Sequence, residues 1–96
     1  MLKTPPKLPM QIFLYGTSGC HLCDLALQEA QPFIDAQICY VDAVDIVSDP
    51  ELYRRYELSI PVLHNPLVAD ELSWPFTGRD VQLWLQRAIA QLSGAE

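Results

Sequence analysis

The sequence is poor in basic residues and has no long apolar stretch. Six lysines and arginines stand against twelve aspartates and glutamates in 96 residues, which gives a net charge of −6. The phosphates of a nucleic acid and an anionic membrane surface would repel such a surface, so we expect neither as a partner. No stretch approaches the ~20 apolar residues of a membrane-spanning helix. The apolar run at residues 12–15 is too short for the core of a signal peptide, and we therefore expect a cytoplasmic protein.

Cysteine and histidine are scarce too, with three and two copies. Cys20 and Cys23 form a C-x-x-C pair, which in a cytoplasmic protein is more often catalytic or metal-binding than a structural disulfide. A zinc site usually needs four protein ligands. Cys39, His21 and His64 do not supply a second ligand pair at metal spacing. We therefore expect no metal site and no tightly bound cofactor.

The hydrophobic pattern predicts one α/β domain at residues 10–96, after a flexible tail at residues 1–9 that is rich in proline and lysine. The first βαβ unit should be a right-handed crossover with parallel strands, and the last two strands are close enough to form a hairpin. This predicts a four-stranded mixed sheet flanked by three helices, in the order βαβαββα. The predicted strands lie at residues 11–15, 38–42, 60–63 and 69–74.

Three helix patterns carry recognisable local signals. The first opens at Cys20, and because its apolar spacing continues past Pro32, we expect a kink there rather than an end. The second has Ser48 or Asp49 as N-cap and a proline at its first position, and it should run to about residue 56. Residues 77–80 resemble a capping box with aspartate in place of glutamate, and they open the third helix.

The C-x-x-C pair lies where a strand ends and a helix begins. Helix geometry puts the two α-carbons ~5 Å apart, a distance that a disulfide can close. Cys20 lies at the helix N-terminus, where free N–H groups and the helix dipole favour a thiolate, the attacking species in disulfide exchange. Cys23, one turn further in, is placed to resolve a mixed disulfide at Cys20. The alternative is a passive disulfide or two inert thiols, which this location disfavours.

Three further side chains each allow two interpretations. A protonated His21 would stabilise the Cys20 thiolate, or His21 is simply an exposed neutral histidine. Cys39 is predicted to be a small buried residue in a strand, the alternative being a regulatory thiol that pairs between molecules. His64, next to an Asn-Pro turn, is predicted to be a loop residue.

Several spaced motifs resemble those of the glutaredoxin-like proteins of the thioredoxin-fold superfamily, in particular a small bacterial branch. The motifs are LYGTSGCHLCD at residues 14–24, DPEL at 49–52, IPVL at 60–63 and WPF at 74–76. The resemblance spans residues 11–90 and implies a thioredoxin-like fold. It also implies a thiol–disulfide oxidoreductase whose partner is a disulfide-containing protein or glutathione, with a reductase as electron donor.

The resemblance assigns roles to individual residues. It makes Cys20 the nucleophile and Cys23 the resolving thiol, with Pro61 as a cis-proline facing the pair. The residue before that proline, Ile60, would offer its backbone to an extended substrate as an added strand. We expect a protein of this size and pattern to be a monomer.

The chain also departs from typical glutaredoxins. It has C-H-L-C rather than C-P-Y-C, no G-G pair, and no lysine after Lys7. The only candidates to hold glutathione's carboxylates are Arg54, Arg55 and Arg79, so glutathione as a co-substrate and a thioredoxin-reductase-like donor both stay open. Two other functions compete with catalysis: a non-catalytic interaction module, and a metal or iron–sulfur carrier, as a dimer bridged through Cys20.

Overall fold

A four-stranded mixed sheet with three α-helices makes up the computed structural model, which describes residues 8–92. The strands are β1 (Met10–Gly16), β2 (Cys39–Asp45), β3 (Val62–Asn65) and β4 (Asp70–Ser73), and the helices are α1 (His21–Ala30), α2 (Pro50–Tyr56) and α3 (Gly78–Leu92). The strand order is β2-β1-β3-β4. β1 runs parallel to β2 and antiparallel to β3, and β3 and β4 form an antiparallel hairpin. The predicted mixed sheet and element order are confirmed.

Residues 1–7 and 93–96 lie outside the described part of the chain. The tail predicted at residues 1–9 falls almost entirely there, as does the end of the predicted domain. Between residues 8 and 92, no helix is long and apolar enough to cross a membrane.

The two faces of the sheet carry separate cores because successive strand residues point to opposite sides. Ile12 and Leu14 of β1 are buried beneath α1 and α3. Tyr15 points the other way and packs with residues of α2 and of the turn before it. Cys39 is buried in the first core, as predicted, and burial followed by the nearby charge of Asp35 raises the pKa of its thiol.

The kink predicted at Pro32 is wrong, because α1 ends at Ala30 and a 3₁₀ turn (Gln31–Phe33) follows. Proline has no backbone N–H to continue the α-helical pattern, and the Ile34 N–H bonds back to the carbonyl of Gln31 at 3.1 Å. The apolar residues beyond it still contact the core, which explains why the helical spacing seemed to continue.

The start signals of the other two helices are confirmed. Asp49 is the N-cap of α2, its carboxylate accepting from the N–H groups of Glu51 and Leu52 at 3.0 and 3.3 Å. Thr77 and Asp80 bond each other's backbone N–H groups with their side chains, at 2.9 and 3.2 Å. Aspartate therefore completes a capping box before α3.

All four strands differ from the prediction at their ends, and the differences are largest in β2 and β3. β2 extends to Asp45 rather than residue 42, because it pairs with β1 along its whole length. β3 starts at Val62 rather than residue 60, since Pro61 has no N–H to contribute to the ladder. The loop predicted at His64 is wrong, because this residue lies within β3.

Candidate functional site

A disulfide joins Cys20 to Cys23 at the start of α1, with the α-carbons 5.2 Å apart. Cys20 is the N-cap residue, and its sulfur accepts a hydrogen bond from the Cys23 N–H at 3.1 Å. A cysteine in this position faces free N–H groups and the positive end of the helix dipole. The geometry therefore stabilises negative charge on the Cys20 sulfur once the disulfide is reduced.

The loop between β1 and α1 places the end of β1 against the Cys23 sulfur. Gly19 has φ +74°, a backbone conformation that residues with a Cβ rarely adopt. At Gly16, an added Cβ would lie only 2.5 Å from the Cys23 sulfur. The strand can approach the disulfide this closely only because residue 16 has no side chain.

Strand register brings Pro61 to the same end of the sheet as the disulfide. Tyr15 pairs with Val62 in antiparallel register, so Pro61 comes next in line opposite Gly16, the residue that leaves room for the Cys23 sulfur. The Ile60–Pro61 bond is cis, as the resemblance implies. The Cys20–Cys23 disulfide and Pro61 thus come from two distant parts of the chain and lie at the same end of the sheet.

The backbone of Ile60 is only partly open to a substrate strand. Its N–H donates to the carbonyl of Tyr56 at 3.1 Å, so an extended substrate would have to displace that bond or use the Ile60 carbonyl. His21 is exposed at the first position of α1, between the two cysteines. Ile60 and His21 thus lie at the end of the sheet that carries the disulfide.

A cleft of about 260 Å³ opens beside the second cysteine. Cys23 lines it together with the carboxylate residues Asp24 and Asp45, from α1 and the end of β2. The Asp45 carboxylate also accepts the Val47 N–H at 2.9 Å. Sequence reasoning did not single out these two aspartates. Asp24 directly follows the motif, but Asp45 becomes visible only when β2 is known to extend that far.

Residues 77–80, the segment of this chain most similar to the G-G-x-x-D motif of typical glutaredoxins, do not reach the disulfide. The Gly78 N–H donates to the carboxylate of Glu29 at 2.9 Å, near the far end of α1. Nine residues of helix separate Glu29 from Cys20, about 14 Å at 1.5 Å per residue. Arg54 and Arg55 lie on α2, within 2.5 and 3.9 Å of the carboxylate of Glu51.

A second polar cluster lies on the α2 face of the sheet. The Tyr56 hydroxyl donates to the Glu71 carboxylate, and the Nδ1 atom of His64 lies 3.3 Å from the same oxygen without the alignment of a hydrogen bond. The Tyr15 ring packs against Tyr56 and His64, with centroids 4.6 and 5.8 Å apart. The register of the hairpin places His64 opposite Glu71, and the sequence alone does not show that register.

The tyrosines of this cluster make stability depend on alkaline pH. Burial, then the charge of Glu71, raises the pKa of Tyr15 above 10.0, and burial, then the hydrogen bond with Glu71, raises that of Tyr56. The unfolded chain therefore loses these protons first, so their contribution is complete below pH ~10 and is lost as pH rises through the folded-state pKa. We expect urea resistance to fall above pH ~10, and Tyr15→Phe to weaken that fall. Tyr53→Phe, at an exposed position of α2, is the control; an equal effect of both variants would contradict the assignment.

Known proteins are similar to this chain in sequence and in structure. The family model described as Glutaredoxin-like domain (DUF836) matches residues 11–86. The X-ray structure of protein XcR50 from X. campestris is 33% identical, with 79% of this chain and 96% of that chain covered and a TM-score of 0.67. The solution structure of protein Ne2328 from Nitrosomonas europaea is 26% identical, covers 81% and 92%, and has a TM-score of 0.65. No curated protein matches the chain. The chain has a thioredoxin-like fold and belongs to the glutaredoxin-like domain family.

Proposed function

We propose that the chain is a cytoplasmic thiol–disulfide oxidoreductase that exchanges disulfides through Cys20 and Cys23. The observation that carries this proposal is the disulfide at the N-terminus of α1, with Cys20 as the N-cap residue. A passive disulfide gains nothing from that position, whereas an attacking thiolate gains the hydrogen bond from the Cys23 N–H and the field of the helix.

In the reductive direction the reaction has two steps. The Cys20 thiolate attacks a substrate disulfide, forming a mixed disulfide and releasing the first substrate thiol. The Cys23 thiolate then attacks the Cys20 sulfur, releasing the second thiol and leaving the Cys20–Cys23 disulfide. Two electrons pass from the dithiol to the substrate, and the two cysteine protons end on the released thiols. Glutathione or a reductase would return the electrons.

Exposed apolar side chains at the end of the sheet that carries the disulfide favour a protein substrate. Leu22 in the first turn of α1 is 46% exposed, Val47 after β2 is 61% exposed, and Leu58 in the loop before Pro61 is 95% exposed. Leu22 lies between the two cysteines. Val47 and Leu58 lie in connections at the end of the sheet where the disulfide lies. Unpartnered apolar side chains around a reactive group can bind an apolar segment next to a substrate disulfide.

The rate of alkylation by iodoacetamide, measured against pH in the reduced Cys39→Ser protein, tests the proposal. We expect a midpoint below the ~8.5 of a free cysteine, together with reduction of bis(2-hydroxyethyl) disulfide. A midpoint at or above that value, with no turnover, would instead indicate a non-catalytic binding module. Metal analysis of protein purified without oxygen would identify an iron–sulfur or metal carrier.

A further inference from the structure

The surroundings of the disulfide are acidic on the side of the cleft. Asp24 follows Cys23 in α1, and Asp45 lies across the cleft at the end of β2. Both side chains are exposed. Within residues 8–92, the only hydrogen bond that either side chain makes is the one that the Asp45 carboxylate accepts from the Val47 N–H. Two exposed carboxylates thus lie at the mouth of a cleft that Cys23 also lines.

Compensating positive charge is not found there. No lysine or arginine is among the described residues that line the cleft. Arg54 and Arg55 pair with Glu51, and Arg87 lies 3.9 Å from Asp70 at the other end of the sheet. Arg79 is in the first turn of α3, which contacts the far end of α1. An anionic substrate group in the cleft would meet two like charges, with no lysine or arginine among the described residues that line it.

We propose that the cleft binds the group next to the substrate sulfur, and that Asp24 and Asp45 select disulfides in which this group is an ammonium or guanidinium. The proposal rests on the proposed function and specifies its substrate class. Glutathione disulfide, which carries carboxylates at both ends, is disfavoured by the same charges. The exchange steps and their electron balance are those given above, and only the substrate's charge differs.

Three small disulfides that differ in charge test the selection. Rate constants for oxidation of the reduced protein are measured with cystamine, bis(2-hydroxyethyl) disulfide and glutathione disulfide, which are cationic, neutral and anionic. At low ionic strength we expect cystamine to react fastest and glutathione disulfide slowest, and added salt to bring the two charged substrates together. An equal or faster reaction of glutathione disulfide overturns the proposal.

Two variants identify the carboxylates responsible. We expect each of the variants Asp24→Asn and Asp45→Asn to lower the ratio of the cystamine rate to the glutathione disulfide rate at least about threefold. That is the effect of one unit charge ~7 Å from a substrate charge in water-like surroundings. Asparagine at position 45 keeps an acceptor for the Val47 N–H. Because both substrates meet the same nucleophile, the ratio cancels any change in thiol reactivity.

The matched control is Asp35→Asn, which removes the same charge at the opposite end of β2. Its side chain accepts the Gln37 N–H at 2.9 Å, and asparagine keeps an acceptor there. A fall in the ratio as large in Asp35→Asn as in the cleft variants would reduce the effect to net charge and overturn the assignment to Asp24 and Asp45.

The same experiment separates this proposal from the proposed function. No reduction of the neutral disulfide overturns both, whereas reduction of all three disulfides at equal rates overturns only the selection by charge. A peptide disulfide with lysine beside each cysteine then distinguishes the sources of the positive group. A faster reaction than that of cystamine indicates a basic protein segment, and a slower one indicates a small amine disulfide.

Discussion

We expect Cys20→Ser to lower disulfide exchange to the uncatalysed background, and Cys23→Ser to attack a substrate disulfide and accumulate a mixed disulfide at Cys20. The two variants differ because only Cys20 occupies the N-cap position, where its sulfur accepts the Cys23 N–H at 3.1 Å. Without Cys23, no intramolecular thiol is placed to release the bound substrate. Mass spectrometry after reaction with a model disulfide measures the trapped adduct, and a coupled assay measures turnover.

Cys39→Ser is the control for both variants. Its thiol is buried in the core beneath α1 and α3, and its raised pKa further reduces its reactivity. We expect this variant to keep normal exchange, with some loss of stability from a polar atom in the core. Full activity of Cys20→Ser, or an adduct on Cys39 in the Cys23→Ser protein, would reverse the assignment of the nucleophile.

Gly16→Ala should weaken the oxidised protein more than the reduced one. The new Cβ would lie 2.5 Å from the Cys23 sulfur, well inside the ~3.5–4 Å of normal contact, so one of the two must move. In the reduced protein the Cys23 side chain can rotate away, but in the disulfide Cys20 holds its sulfur in place. We expect a loss of about 1–3 kcal/mol in the oxidised state and a higher reduction potential.

Thermal unfolding in both redox states, with the fraction of disulfide in defined thiol buffers, measures these effects. Gly19→Ala is the matched control: its φ of +74° makes alanine unfavourable, yet an added Cβ meets no atom within 4 Å. We expect it to cost about 1 kcal/mol in both states alike. If Gly16→Ala also destabilised both states equally, the close approach of the strand would have no bearing on the disulfide.

Features with a local cause were predictable from the sequence. The N-cap at Asp49 depends on the next few residues only, and so does the capping box at Thr77. The Cys20–Cys23 pair is likewise local, because a separation of three in a helix brings the α-carbons within reach of each other. Pro32 correctly indicated where the first helix is interrupted, but α1 ends there and does not kink. The residues after Pro32 contact the core, and their apolar spacing therefore resembled a continuing helix.

Features that depend on strand register could not be predicted in the same way. β2 continues to Asp45 because β1 pairs with it that far. The sequence around Asp45 does not by itself predict a strand. His64 was assigned to a loop because a turn follows it, and its neighbour Glu71 comes from the next strand. The position of Pro61 opposite Gly16 is also a result of pairing, and without the resemblance its cis bond would have been predicted trans.

The strand order leaves β2 and β4 as the two edges of the sheet, with backbone groups open on their outer sides. Such edges invite strands of other molecules to pair, which is how aggregates grow. Here β2 carries Asp42 and Asp45, and the four-residue β4 carries Asp70 and Glu71. Two copies that approached edge to edge would bring these like charges together. The acidic side chains on both edge strands thereby oppose lateral growth of the folded protein into larger sheets.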